Sequence, residues 1–191
     1  IYIVNVLNEV QSFVATGGKS AISPDGQTII YDTNFTGDPE IFSVSRSGGT
    51  PINLTNSPSL DFFGSYSPDG STIVFHSNRD GNFNLYLMNP DGSNVRQLTS
   101  NPSDDQWPSW SPDGTKIAFA SIRTGNFDIY VYDLLTDQVS QLTTNPSADI
   151  WAVWSPDGTQ FIFTSIPVGG ATTFIVVDVA SGTEQPILEA T

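Results

Sequence analysis

The chain of 191 residues has no cysteine, one histidine and one methionine. Without cysteine it can form no disulfide framework, no thiolate zinc site and no cysteine nucleophile. A single histidine cannot build a multi-histidine metal centre. Cations are scarce too: 6 Lys plus Arg stand against 20 Asp plus Glu, a formal net charge of −14. Phosphate backbones are bound through basic patches, so this composition argues against a nucleic-acid partner. No run approaches the roughly 20 apolar residues of a membrane span, and no basic stretch precedes an apolar one as in an export signal. The chain opens at Ile1, as expected of a processed product or part of a longer chain. Hydrophobic residues make up 38% of it, with 12 Phe, 6 Tyr and 4 Trp, enough for a packed core and against disorder.

Repetition is the dominant feature. Ser-Pro-Asp-Gly recurs at Ser23–Gly26, Ser67–Gly70, Ser111–Gly114 and Ser155–Gly158, each copy 44 residues after the last. The same interval links Tyr31, Phe75, Phe119 and Phe163, and again Phe42, Tyr86, Tyr130 and Phe174. It also links Leu54, Leu98 and Leu142, each followed by Thr, and Phe63, Trp107 and Trp151. A period of about 40–45 residues marks propeller blades, each a four-stranded antiparallel sheet. In the third repeat, residues 107–111, 115–121, 127–133 and 139–143 read as strands A to D, separated by turn residues. No segment keeps a helical period. The fold class is therefore an all-β propeller.

The Pro-Asp-Gly turns carry Asp25, Asp69, Asp113 and Asp157. We expect these to cap their own turns, because Asp accepts local backbone N–H groups and the glycine supplies positive φ. A sialidase-type Asp box is excluded, since its Asp and Gly are not adjacent.

The composite Leu-Thr-x-Asn-Pro-Ser-x-Asp-x-Trp-x-x-Trp-Ser-Pro-Asp-Gly-Thr, then Ile-x-Phe-x-Ser and Arg-x-Gly-Asn-Phe-x-Ile-Tyr, stands nearly complete from Leu98 to Tyr130. It resembles the TolB-like, WD-like β-propeller repeat family over residues 20 to about 178. That resemblance implies a protein-binding scaffold of the cell envelope, periplasmic or secreted, with partners at the channel mouth. The outer repeats depart from the pattern. Gly37-Asp38-Pro39 and Gly169-Gly170-Ala171 replace Gly-Asn-Phe, and Phe35 and Pro167 replace Arg79 and Arg123.

Residues 1–6 and 11–16 read as strands C and D. The expected division is a half-blade at 1–19 and full blades at 20–63, 64–107, 108–151 and 152–191, together one propeller domain of four blades and a half. Three outcomes fit the phase of the ends: a piece of a longer propeller, a compact five-bladed ring with one thin blade, or open edges covered by a neighbouring chain.

Asp61, Asp105 and Asp149 precede strand A, the innermost strand of a blade, so they are expected at one channel mouth. There they either bind Ca²⁺ or a Lys/Arg-bearing peptide, or cap loop amides within their own blades. Trp107 and Trp151, with Trp110 and Trp154, form either a stacking platform or packing between blades. Arg79 and Arg123 are expected to pair with carboxylates of the adjacent blade. His76 is expected to be packed or on the surface, since no Gly-x-Ser-x-Gly elbow offers it a nucleophile. Asn34 and Asn53 match the N-glycosylation pattern, of use only in a eukaryotic secreted chain. No catalytic, cofactor-binding or metal residue stands out beyond the Ca²⁺ alternative.

Three functions follow. The first is a non-catalytic scaffold outside the cytoplasm, binding protein or basic peptide. The second is an accessory propeller of a larger peptidase or glycosidase. The third is a structural subunit of an extracellular assembly that self-associates through open edge strands.

Overall fold

The computed structural model describes residues 1–5, 10–13 and 17–189. Among them there is no helix, and hence none long and apolar enough to cross a membrane. Strands β1 (Tyr2–Asn5) and β2 (Val10–Phe13) form an antiparallel pair. The expected strand positions at 6 and 14–16 lie outside the described residues.

Four antiparallel sheets follow, each in chain order. The first holds β3 (Ser20–Ile22), β4 (Thr28–Thr33), β5 (Glu40–Ser45) and β6 (Ile52–Asn53). The second holds β7 (Asp61–Tyr66), β8 (Ile73–Ser77), β9 (Asn84–Met88) and β10 (Arg96–Gln97). The third holds β11 (Asp105–Trp110), β12 (Lys116–Ser121), β13 (Asp128–Asp133) and β14 (Gln138–Gln141). The fourth holds β15 (Ala148–Trp154), β16 (Gln160–Ile166), β17 (Thr173–Asp178) and β18 (Glu184–Glu189).

Inner strands stack on one another. β7 packs on β3, β4 and β5; β11 on β7, β8 and β9; β15 on β11, β12 and β13. No described strand of the fourth sheet touches one of the first. The sheets begin at Asp61, Asp105 and Ala148, a few residues before the expected divisions at 64, 108 and 152. Each inner strand keeps pairing on both sides of a bulge, which carries its first residues into the new sheet.

The alternation of strands B and C places one row of side chains against the preceding sheet and the other against the next. Ile30 and Ile41 of the first sheet meet Ile73, Phe75, Tyr86 and Met88 of the second. Val74, Leu85 and Leu87 then meet Ile117, Phe119, Tyr130 and Tyr132. Ala118, Ala120, Ile129 and Val131 meet Phe161, Phe163 and Val177. Phe75, Phe119, Phe161 and Phe163 are fully buried there, each contributing about 1.5–3 kcal/mol.

The repeat motifs join strands to loops. In the first Ser-Pro-Asp-Gly turn Gly26 N–H donates to the Ser23 carbonyl at 2.8 Å, with φ at +69°, and Gly70, Gly114 and Gly158 close the other three in the same way at 2.9 Å. Asp25 accepts from Ser23 Oγ at 2.5 Å and from Gln27 N–H at 3.0 Å. The same bonds hold Asp69 and Asp157 down to about 2, the serine hydroxyl being the largest cause. In the Leu-Thr pairs, the hydroxyls of Thr55, Thr99 and Thr143 accept the N–H of Ile41, Leu85 and Ile129, extending the ladder where strand D is short. Asn82 and Asn126 clamp the loop to the next sheet by donating to the carbonyls of Asn101 and Ser103, and of Asn145 and Ser147.

The fourth sheet departs from the 44-residue register. Phe75 faces Tyr86 and Phe119 faces Tyr130, but Phe163 faces Ile175 instead of Phe174. One additional residue lies between the paired ends Ser165 and Thr173 than between Ser121 and Asp128. A slip of one residue exchanges the faces of a strand. Ile175 therefore packs into the core and Phe174 is turned out, 43% exposed.

Candidate functional site: an aromatic arc along the inner strands

Asp61, Asp105 and Asp149 open the inner strands, but their side chains are fully buried instead of lining an open mouth. Each is turned into its own sheet. Arg123 Nη2 donates to both oxygens of Asp105, at 2.8 and 3.0 Å, and its Nε donates to Ser121 Oγ at 2.9 Å. Arg79 does the same for Asp61, at 3.1 and 3.3 Å, with Ser77 Oγ at 3.1 Å. The guanidinium groups also lie over aromatic rings, Arg79 at 4.8 Å from Tyr86 and Arg123 at 4.5 Å from Tyr130. Expected between blades, these ion pairs lie within one sheet, because Asp and Arg flank the A–B hairpin of the same blade. The cation compensates a fully desolvated carboxylate, and stacking on the rings fixes the planar guanidinium.

In the fourth sheet Pro167 occupies the Arg register. Asp149 is held by Ser165 Oγ at 2.6 Å and Asn145 Nδ2 at 2.7 Å. Burial raises its carboxyl above the usual range, against the lowering effect of those two bonds. Among the described residues no group of three or more Asp, Glu, His or Cys could hold a metal ion.

Phe63, Trp107 and Trp151 take a different position. Each sits in the bulge of its inner strand with a left-handed φ of 57°, 55° and 57°. That conformation is uncommon for bulky residues and recurs where the surroundings over-determine it. The surroundings are visible. Asp32 Oδ2 accepts Phe63 N–H at 3.2 Å and His76 Nδ1 accepts Trp107 N–H at 3.3 Å, each from the sheet before. Ala120 holds that register before Trp151 and has no acceptor to offer. The next bulge residue turns inward and is small or compact: Gly64, Pro108 or Ala152. A Cβ on Gly64 would stand 3.2 Å from Ile30 and from Ile41.

His76 is 2% exposed, with Phe62, Phe63 and Phe83 around it at centroid distances of 5.7, 5.3 and 5.3 Å. Burial pushes its imidazole down to about 3, so it stays neutral and serves as an acceptor.

The outcome is an arc of rings along the inner strands. Phe63 and Trp107 lie edge to face at 6.5 Å and 74°, and Trp107 and Trp151 at 6.0 Å and 70°. They line an open groove of about 360 Å³ with Ala21, Ser65, Pro108 and Ser109, and Lys19 stands at its first-sheet end. Trp151 is 50% exposed. Trp110 and Trp154 behave otherwise: their indole N–H groups donate to the carbonyls of Ser65 and Ser109 at 3.2 Å, joining neighbouring sheets. Lys19 escapes a motif search because it is not aromatic, yet it lies 44 residues before Phe63 and so completes the register.

The comparisons agree with this architecture. The family model described as TolB beta propeller domain matches residues 2–108 and 100–188. A structure of putative TolB from Agrobacterium tumefaciens is 25% identical, with a TM-score of 0.87 over 98% of this chain and 73% of its own. TolB from Acinetobacter baumannii is 23% identical, with a TM-score of 0.82 over 99% of this chain and 49% of its own, so the chain spans about half of that relative. An oligogalacturonate lyase in complex with manganese shares the fold at 17% identity, with a TM-score of 0.76 over 98% of this chain and 59% of its own. No curated protein matches the chain. The repeats, the four stacked sheets and these matches together place the chain in the TolB beta propeller domain family.

Proposed function

We propose that this chain is a non-catalytic propeller scaffold, working outside the cytoplasm in the cell envelope, that binds a protein or peptide segment along the inner-strand groove. One observation carries this reading. Three successive sheets hold large rings against an open groove on a left-handed backbone that glycine alone would adopt without strain. Accessible aromatic anchors of this kind are what peptide-binding surfaces are built on. The basic-peptide alternative needs Asp61, Asp105 and Asp149 open to the partner; buried and bonded as they are, they lend it no support. His76, enclosed by rings and accepting the Trp107 N–H, supports a role in shaping the arc.

A selection of displayed peptides on the purified chain tests the reading. The expected winners compete with one another for one site and lose binding in Trp151→Ala, an exposed substitution that leaves the packed sheets intact. Winners indifferent to Trp151→Ala would place the binding surface elsewhere. A second reading, an accessory propeller of a larger enzyme, draws on the shared fold of puromycin hydrolase, 16% identical with a TM-score of 0.72, of which this chain covers 28%. The full reading frame separates the two.

A further inference from the structure

Resting on that reading, we propose that the groove selects an extended peptide segment in which an aromatic side chain stands beside a carboxylate: the ring enters the arc of Phe63, Trp107 and Trp151, and the carboxylate meets Lys19. Ring geometry supports the first half. Successive rings stand at 74° and 70° to one another, so the arc alternates edges and faces along its length. A further ring continues the same edge-to-face packing, which aromatic pairs prefer to a face-to-face sandwich. Trp151 is its adjustable wall, being half exposed and lacking the side-chain acceptor that Asp32 and His76 supply to the other two bulges.

Charge supports the second half. The whole chain carries −14 and only 6 Lys plus Arg, yet among the described residues the one charged residue lining this groove is Lys19. The carboxylates that open the inner strands are turned into the sheets. No described carboxylate lines the groove itself, but buried Asp32 behind it accepts the backbone N–H groups of Lys19 and Phe63 at 2.9 and 3.2 Å and feels the Lys19 charge. An anionic group on the ligand shares the cation with that one carboxylate, whereas a basic segment meets a like charge at the groove surface. An exposed pair of this type adds little affinity, whereas a like charge in its place repels the ligand, so Lys19 acts chiefly as a selector of charge and register.

The test uses the whole chain and three short capped peptides in a Gly/Ser frame, centred on Asp-Phe-Asp, Lys-Phe-Lys or Asp-Ala-Asp. Binding is read from the protein's tryptophan emission, to which none of the peptides contributes. The Asp-Phe-Asp peptide is expected to bind most tightly. Exchanging its Asp for Lys or its Phe for Ala should weaken binding about tenfold, and Lys19→Glu should weaken it by about the same factor while favouring the Lys-Phe-Lys peptide. Trp151→Ala should abolish the response in calorimetry as well as in emission, since the substitution also removes a fluorophore, with circular dichroism confirming that each variant stays folded. Tighter binding of Lys-Phe-Lys that still depends on Trp151 would overturn the ligand class and leave the groove as the binding site. No Trp151-dependent response from any peptide would overturn both.

Discussion

Replacing His76 with Asn is expected to flatten the acid limb of the stability curve. In the folded chain the imidazole is buried among Phe62, Phe63 and Phe83 and held down to about 3, while in the unfolded chain it titrates near its ordinary value of about 6.5. Between those values the unfolded state binds the proton and the folded state does not. Stability is therefore present above about pH 6.5 and drains as pH falls towards about 3, at up to about 1.4 kcal/mol per pH unit. Asn places an acceptor near the position of Nδ1, so the Trp107 bulge keeps its bond while the titration is lost. Asp32 and Asp149 titrate with the opposite sign. Burial raises both in the folded chain, so they favour folding as pH falls, and they do so equally in wild type and variant. Urea unfolding of the two proteins between about pH 6.5 and pH 4 should thus diverge steadily. Parallel curves would mean that the imidazole is protonated or hydrated in the folded chain.

Arg123→Ala should produce the largest loss of stability of any single substitution outside the apolar core. It leaves the Asp105 carboxylate fully buried, stripped of two charge-assisted bonds at 2.8 and 3.0 Å, and uncovers the rings of Phe119 and Tyr130. Removing one partner of a buried ion pair costs about 3–5 kcal/mol. The fourth sheet supplies the comparison. Asp149 is buried with no guanidinium, so Asp149→Asn is expected to leave stability unchanged or raise it at neutral pH. Equal losses for the two substitutions would show that the cation contributes nothing beyond its hydrogen bonds. The urea midpoint and slope decide between these outcomes.

Much of the fold was legible because every blade repeats the same solution to the same packing problem. The 44-residue interval locates Phe75 and Phe119 in the core, and the Pro-Asp-Gly turns fall where Pro and Gly dictate. The limits of legibility were physical as well. A fixed interval presumes a fixed register, and one additional residue before Thr173 turns Phe174 outward while the Ser155–Gly158 turn and Phe163 before it stay in phase. The candidate site was half visible. Sequence groups Trp107 and Trp151 with Trp110 and Trp154, and composition cannot tell a ring at a left-handed bulge from one whose indole bonds the preceding sheet. Position before the innermost strand fits Asp61 and Asp105 equally to a channel mouth and to caps within their own blades. Their direction depended on Arg79 and Arg123, which lie 18 residues further along and fold back within the same sheet. Lys19 was hidden by its chemistry alone, since it holds the register of three aromatics.

The central claim is that the groove along the inner strands is the ligand surface and the Asp–Arg pairs are part of the frame. The four indole N–H resonances read it directly during titration with the Asp-Phe-Asp peptide. Those of Trp107 and Trp151 should shift, while those of Trp110 and Trp154, bonded to Ser65 and Ser109, stay in place. Shifts confined to Trp110 and Trp154, or no shift in Trp107 and Trp151 under a saturating ligand, would contradict it.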